Sequence, residues 1–537
     1  MKFDPYMYRY PSRRNLVYGK NGMVASGSPL ASQAGLDILK KGGNAIDAAV
    51  ATAAALTVVE PSGNGIGGDN FAIIWYEGEI YGLNSSGFAP EKISREALLE
   101  KGDLISLFGL DSLTVPGAPG GWAALSERFG NLPLSETMEP AAVLAEDGFP
   151  VAANVAALWK RYYNIYEAQL ERYPVLKTWF DTYCPNGRPL DAGEVFKSPA
   201  HAKTLRAIGE TNAETFYKGE IADAIDAFSR ENDGYLRKED LEKFEPEWVT
   251  PLSTNYKGYD VWELPPNGIG IIVLMALNNL EQMDLQGKDD VETYHAQIEA
   301  LKLAFEDGDA YIGDPSDKEI EVDIETLLSK EWAKKRTAQV TDQALEPKPG
   351  ELPASGTVYF SVADKEGNMV SFIQSCYTGF GSGSVVPGYG ISLHNRGNQF
   401  SLEEGHPNEI KPGKRPYHTI IPGFITKDEE AVGPFGVMGG PLQPQAHMQV
   451  VSSMVDFHLN PQEALDAPRW QWTSGKTVQV EPSFPFYIAE SLKRRGHDIQ
   501  LLNETIMIGR GQIILKQADG VYVGATEGRT DGYISVW

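Results

Sequence analysis

Up to about residue 356 the hydrophobic positions recur mainly at helical spacing. Leu30, Ala34, Leu36, Ile38 and Leu39 form one apolar stripe, opened by the helix-start pair Ser28-Pro29 and stopped at Gly42-Gly43. The next run, residues 45 to about 59, is apolar on nearly every side and predicts a buried helix whose small residues allow close approach. From Val115-Pro116-Gly117 to about residue 245 the pattern stays mainly helical, with long polar connections. Leu264-Pro265-Pro266-Asn267-Gly268-Ile269-Gly270 reads as a rigid turn that opens a helix through Ile271, Ile272, Leu274, Leu277 and Leu280. Residues 294–311 carry Ile298, Leu301 and Phe305 at core spacing.

The period then changes from helical to alternating. Residues 346–356 are polar and contain proline, as a loop does, and a Ser-Gly step delivers Thr357 at the head of a strand. Alternation places Val358, Phe360 and Val362 on one face and Thr357, Tyr359 and Ser361 on the other. Asp364-Lys365-Glu366-Gly367-Asn368 is turn chemistry and residues 369–373 are a second strand, which makes a hairpin. Beyond it, strands and glycine turns dominate, so helix-rich and strand-rich parts together predict a layered α/β body.

Composition narrows the functional classes. The chain has 537 residues, enough for two domains or one large layered unit, and its 42% apolar content fits a folded, soluble protein. With 47 basic against 73 acidic residues the net charge is −26, which argues against nucleic acid or an anionic membrane as partner. Cys184 and Cys376 are too few for a disulfide scaffold. The first ten residues lack a signal-peptide core and no apolar run reaches membrane-spanning length, so the cytoplasm is the expected location.

The common catalytic patterns are missing. The eight histidines form no H-E-x-x-H and pair with no cysteine, which leaves no support for a metal, and no cofactor is expected. Neither G-x-S-x-G nor G-x-x-x-x-G-K-[ST] occurs. Gly63-Asn64-Gly65-Ile66-Gly67-Gly68 contains a formal dinucleotide fingerprint, but a helix precedes it and a strand follows, the reverse of the order such a site needs. It reads instead as a tight backbone turn at a packed site. Cys376 reads as core packing. A threonine becomes a good nucleophile when it is a chain terminus, because its own α-amine can accept the hydroxyl proton. Cutting between Gly356 and Thr357 creates that arrangement.

Several stretches resemble the γ-glutamyltransferase family of N-terminal-nucleophile hydrolases, in the family's order and over nearly the whole chain. They are Gly42-Gly43-Asn44-Ala45-Ile46-Asp47-Ala48-Ala49-Val50-Ala51, Gly65-Ile66-Gly67-Gly68, Val115-Pro116-Gly117, Glu146-Asp147-Gly148-Phe149, Pro265-Pro266, Tyr311-Ile312-Gly313-Asp314-Pro315 and Ala467-Pro468-Arg469. The resemblance implies a four-layer αββα sandwich made as one precursor, cut by its own threonine into a large chain (1–356) and a small chain (357–537). It implies acyl transfer from an amide, glutathione among the candidates, through an acyl-enzyme on Thr357 to water or an amine. Subunit number stays open between a homodimer and a heterotetramer.

The same alignment puts Ser375 where the family has a second threonine that assists the nucleophile. Leu442 and Gln443 stand where the family has a Gly-Gly pair, as backbone oxyanion donors between Pro441 and Pro444. The glutamate-reading shell departs from the family. Ser86 aligns with its carboxylate-binding arginine, His418-Thr419 with its paired serines, and Arg396 and Gln399 beside Asn395 with its amine-binding residues. Arg396, with Arg415 second and His418 assisting if protonated, is the expected replacement cation. The competing functions are a γ-glutamyl-type amide hydrolase, a cephalosporin- or oxamate-type acylase, and a non-catalytic binding protein that keeps the fold.

Overall fold

Two seven-stranded antiparallel sheets lie face to face between helical layers. The computed structural model describes residues 1–4, 6–317, 323–346, 357–505 and 508–537. Gly356 and most of the expected 346–356 loop lie outside the described residues. The first sheet runs in the order Tyr533–Val536, Gly22–Ser26, Val358–Asp364, Met369–Ser375, Asp69–Tyr76, Glu79–Ser85, Glu247–Val249. The second runs Val17–Gly19, Tyr522–Thr526, Arg510–Lys516, Glu430–Met438, Gly423–Lys427, Tyr259–Glu263, Leu252–Tyr256. Strands from before and after residue 357 therefore interleave in both sheets.

The alternation read from the sequence decides which layer each side chain enters. Val358, Phe360 and Val362 join the core beneath helices Pro29–Lys41, Ala45–Val59 and Leu134–Asp147. Tyr359 and Ala363 point the other way, into a core shared by the sheets with Phe71, Ile73, Phe424 and Ile514. A third core backs the second sheet with helices Gly270–Glu281, Val291–Tyr311 and Leu442–Val455. These are the four layers, αββα.

Local chemistry explains the Gly-Gly-Asn-Ala-Ile-Asp signature. Gly42 ends the first helix at φ +107°, a left-handed cap that glycine adopts freely. Asn44 and Asp47 then form a capping box that starts the next helix, and Asp47 also accepts from Asn131 N–H at 2.9 Å. Ala45 N–H donates to Asp364 Oδ2 at 2.9 Å, which ties this helix to the end of the strand that Thr357 begins. Every residue of Ala45–Val59 is buried, as its all-round apolarity predicts. Ser28 departs from expectation: its hydroxyl caps nothing, and its carbonyl instead accepts from Ser32.

Candidate active site

Thr357 immediately precedes strand Val358–Asp364 and is fully buried. Its hydroxyl donates to Ser375 Oγ at 3.1 Å, across the hairpin. Ser375 Oγ also receives Tyr377 N–H at 2.8 Å and Arg396 Nη2 at 3.2 Å. The next hydroxyl outward is Thr419, whose Oγ1 accepts from Arg396 Nη1 at 2.7 Å.

The glycine run supplies the wall behind the threonine. A Cβ on Gly63 would stand 3.1 Å from the carbonyl oxygen of Thr357, and one on Gly68 only 2.5 Å from that of Ser375. His394 N–H donates to Gly67 O at 3.0 Å, which docks the 394–399 stretch on the same run. The run is thus a packed backbone turn, as its sequence context predicts.

Arg396 is the unusual charge in this site. It is fully buried and makes no ion pair among the described residues, and its Nε has no acceptor. Its guanidinium stacks over Tyr377 with 4.6 Å to the ring centroid, and Gln399 holds the Tyr377 hydroxyl. Burial lowers Arg396 to about 10, so it stays charged at neutral pH. The carboxylate closest to it in the network, Asp69, is fully engaged. Asp69 Oδ1 accepts from Gly117 at 3.0 Å and Gly87 at 3.3 Å, and Oδ2 faces His418 Nε2 at 3.1 Å and His394 Nδ1 at 3.4 Å. Burial would raise this carboxyl, but His394 and His418 hold it well below the usual carboxylate range.

The remaining expected site residues assemble around this network. Ser86 donates its hydroxyl to Asn84 Oδ1 at 2.7 Å and lies against Asn267, whose carbonyl accepts from His418 N–H. Asn395 is a turn brace: its side-chain amide donates to the carbonyls of Leu107 and Gly381. Two of the expected replacement cations are corrected. Arg415 is spent on Glu247 at 2.7 Å and on the Ser86 carbonyl, and burial takes His418 down to about 3, which keeps it neutral. Leu442 and Gln443 are corrected as open oxyanion donors: their N–H groups turn back to Gly439 and Gly440 at 3.3 and 2.9 Å. Opening a helix here leaves them inside its first turn.

Asp69, His394, Tyr377 and Asn267 escaped the sequence reading as site residues. Asp69 directly follows the glycine run, and that adjacency was a usable signal. Nothing in the sequence around Tyr377 marks it, although it adopts φ +73°, rare for a bulky residue. Cys376 is buried with its thiol pushed up by burial, then by Asp69, so a thiolate nucleophile is disfavoured.

The profile of the Gamma-glutamyltranspeptidase family matches residues 31–537. The chain belongs to the gamma-glutamyltranspeptidase family. Within that family it is 35% identical over 531 residues to the glutathione hydrolase-like YwrD proenzyme of Bacillus subtilis (strain 168), covering 96% of this chain and 98% of the relative. It is 32% identical to the oxamate amidohydrolase proenzyme of Klebsiella pneumoniae subsp. pneumoniae, covering 95% and 98%. The crystal structure of cephalosporin acylase from Bacillus halodurans superposes with a TM-score of 0.93 at 55% identity, over 100% of this chain and 99% of that one. Like these gamma-glutamyltranspeptidase relatives, the protein is an enzyme of the N-terminal-nucleophile hydrolase fold. No helix among the described residues is long and apolar enough to cross a membrane.

Proposed function

We propose that this protein is an amide hydrolase with acyltransferase capacity whose nucleophile is Thr357, freed by self-cleavage after Gly356. The Thr357 hydroxyl attacks the carbonyl of residue 356, the peptide nitrogen leaves as the new α-amine, and water opens the resulting ester. In each later turnover the α-amine takes the hydroxyl proton as Oγ1 attacks the substrate carbonyl. The same proton then goes to the departing amine, and water or a second amine removes the acyl group. The observation that carries this reading is the Thr357 hydroxyl held 3.1 Å from Ser375 Oγ on adjacent strands, with Gly63 packed against its backbone.

The acyl specificity departs from γ-glutamyl. The position aligned with the family's carboxylate-binding arginine is Ser86, uncharged and committed to Asn84 and Asn267. A cephalosporin-type amide is the second reading, favoured by the 55% identity to the Bacillus halodurans cephalosporin acylase. A denaturing gel with N-terminal sequencing should find two chains, the smaller beginning at Thr357. An amide screen should then find amine release that Thr357→Ala abolishes. A full-length chain with no such release favours the non-catalytic reading.

A further inference from the structure

We infer that Arg396 is a positioning residue for the maturation cut itself: acting through the Ser375 hydroxyl, its charge supports the Thr357 oxygen as that oxygen attacks the carbonyl of residue 356. This rests on the assignment of Thr357 as nucleophile.

The cut makes a demand that later turnovers do not. Before it Thr357 has no free amine, so nothing on the residue itself accepts the hydroxyl proton. In the balanced step the Oγ1–C bond forms, the C–N bond breaks, and the hydroxyl proton ends on the departing nitrogen. Negative charge gathers on Thr357 Oγ1 on the way, and fixed donors and cations in a buried setting lower the cost of such charge.

Three donors converge on Ser375 Oγ: the Thr357 hydroxyl at 3.1 Å, Arg396 Nη2 at 3.2 Å and Tyr377 N–H at 2.8 Å. Two of them stay in place throughout the reaction. Tyr377 N–H is backbone, and the guanidinium is held by Thr419 at Nη1 and by the Tyr377 ring beneath it. A hydroxyl proton rotates to suit its neighbours. As Thr357 Oγ1 gives up its proton, Ser375 therefore becomes the donor to it, polarised by the cation on its own oxygen.

The shared oxygen keeps Arg396 Nη2 within two hydrogen-bond lengths of Thr357 Oγ1. Thr357, Ser375, Tyr377, Arg396 and Thr419 are all fully buried, so water screens the charge little. At this range one unit charge changes the rate of a step that builds negative charge by about 10- to 100-fold. Asp69 on the neighbouring strand opposes the effect, but its oxygens are held by the N–H groups of Gly87 and Gly117 and by His418. Neither Arg415, spent on Glu247, nor the neutral His418 supplies a substitute cation.

The chain carries its own scissile bond, so the test needs no ligand. Precursor made by cell-free synthesis is sampled on a denaturing gel, and the rate of the cut before Thr357 is read for wild type, Arg396→Met, Arg396→Lys, Ser375→Ala and the Ser375→Ala/Arg396→Met double variant. The Tm of each substitution is measured in the uncut Thr357→Ala chain. Arg396→Met should slow the cut about 10- to 100-fold, and Arg396→Lys should restore at least threefold of that loss. In the Ser375→Ala background Arg396→Met should cost less than about threefold, because the hydroxyl that links the two residues is gone. Should Arg396→Met not fold, Arg396→Gln, polar but uncharged, reads the same cycle. A neutral variant cut at the wild-type rate, a Lys variant no faster than the neutral one, or losses that multiply in the double variant overturns the inference; the last outcome makes Arg396 a brace of the fold. A wild-type chain that is not cut and shows no Thr357-dependent turnover overturns the underlying nucleophile assignment instead.

Discussion

Ser375 lies opposite Asp69 in the register of two paired strands, and from that place its hydroxyl receives Thr357 on one side and Arg396 on the other. One oxygen therefore couples Thr357, the proposed nucleophile, to the guanidinium of Arg396, which makes no ion pair among the described residues.

Thr357→Ala should remain a single chain and release no amine, because no other hydroxyl begins the strand. Ser375→Ala keeps the nucleophile but removes its hydrogen-bond partner. Losing that bond should slow self-cleavage by about 10- to 100-fold, equivalent to ~1.4–2.7 kcal/mol. A time course on a denaturing gel checks both, and processing of Ser375→Ala at the wild-type rate would show that the contact is dispensable.

Gly63→Ala tests the wall behind the threonine. Its new Cβ would meet the Thr357 carbonyl oxygen at 3.1 Å and the backbone C and N at 3.3 Å, so backbone must shift. Overpacking of this kind costs about 1–3 kcal/mol. Calorimetry should show a lower Tm, and the gel a slower cut; a variant indistinguishable from wild type in both would mean the wall gives way easily.

The charge of Arg396 should be felt by the new α-amine of Thr357. A nearby cation disfavours the protonated amine and so lowers a pKa that is ordinarily about 8. In Arg396→Met the acidic limb of the kcat/KM profile, measured on a neutral anilide, should move to higher pH. A limb that stays in place would argue that the charge is not sensed there.

Stability should fall on acidification. His201, His418, His447 and His497 are buried, and burial lowers them from 6.5 to about 4, 3, 3 and 3. The unfolded chain binds protons at these rings below pH 6.5 while the folded state does not, so their contribution, present above that pH, drains away towards pH 3. Burial raises Glu60, Asp309 and Asp466 to about 7, 6 and 6, which acts in the opposite sense below pH 7. Burial also raises Asp47, Asp240, Glu263, Asp307 and Asp364, so carboxyls offset the rings down to about pH 4. Below that the unfolded carboxyls are protonated too and the rings dominate, so Tm should fall steeply from about pH 4 to 3; a Tm that stays level there would contradict this.

Reductant and chelator should leave Tm and activity unchanged. Cys184 and Cys376 are free and buried, so thiol reagents should react only on unfolding. His295, Glu299 and His497 come together as metal-ligating groups do, but Lys302 Nζ already donates to Glu299 Oε1 at 2.8 Å and the rings bond each other at 2.8 Å. A large loss with chelator would direct attention to that cluster.

The sequence by itself determined whatever depends on local period and local chemistry. Alternation assigned the faces of strand Val358–Asp364, and the all-round apolarity of Ala45–Val59 assigned its burial. Asn44 and Asp47 cap a helix three residues apart, so their role is written in their spacing. The order of short stretches along the chain resembled the family. Tertiary structure decided everything that depends on distant partners. The sequence ranked Arg396 before Arg415 and His418 as candidate cations by alignment alone, because charge in a folded protein is set by what stands beside it. Folding placed Glu247 on Arg415, drove His418 neutral by burial, and left Arg396 buried with no ion pair among the described residues. Leu442 and Gln443 lost their open N–H groups to a helix start, and Asp69 and Tyr377 entered the site from elements whose pairing no local pattern records.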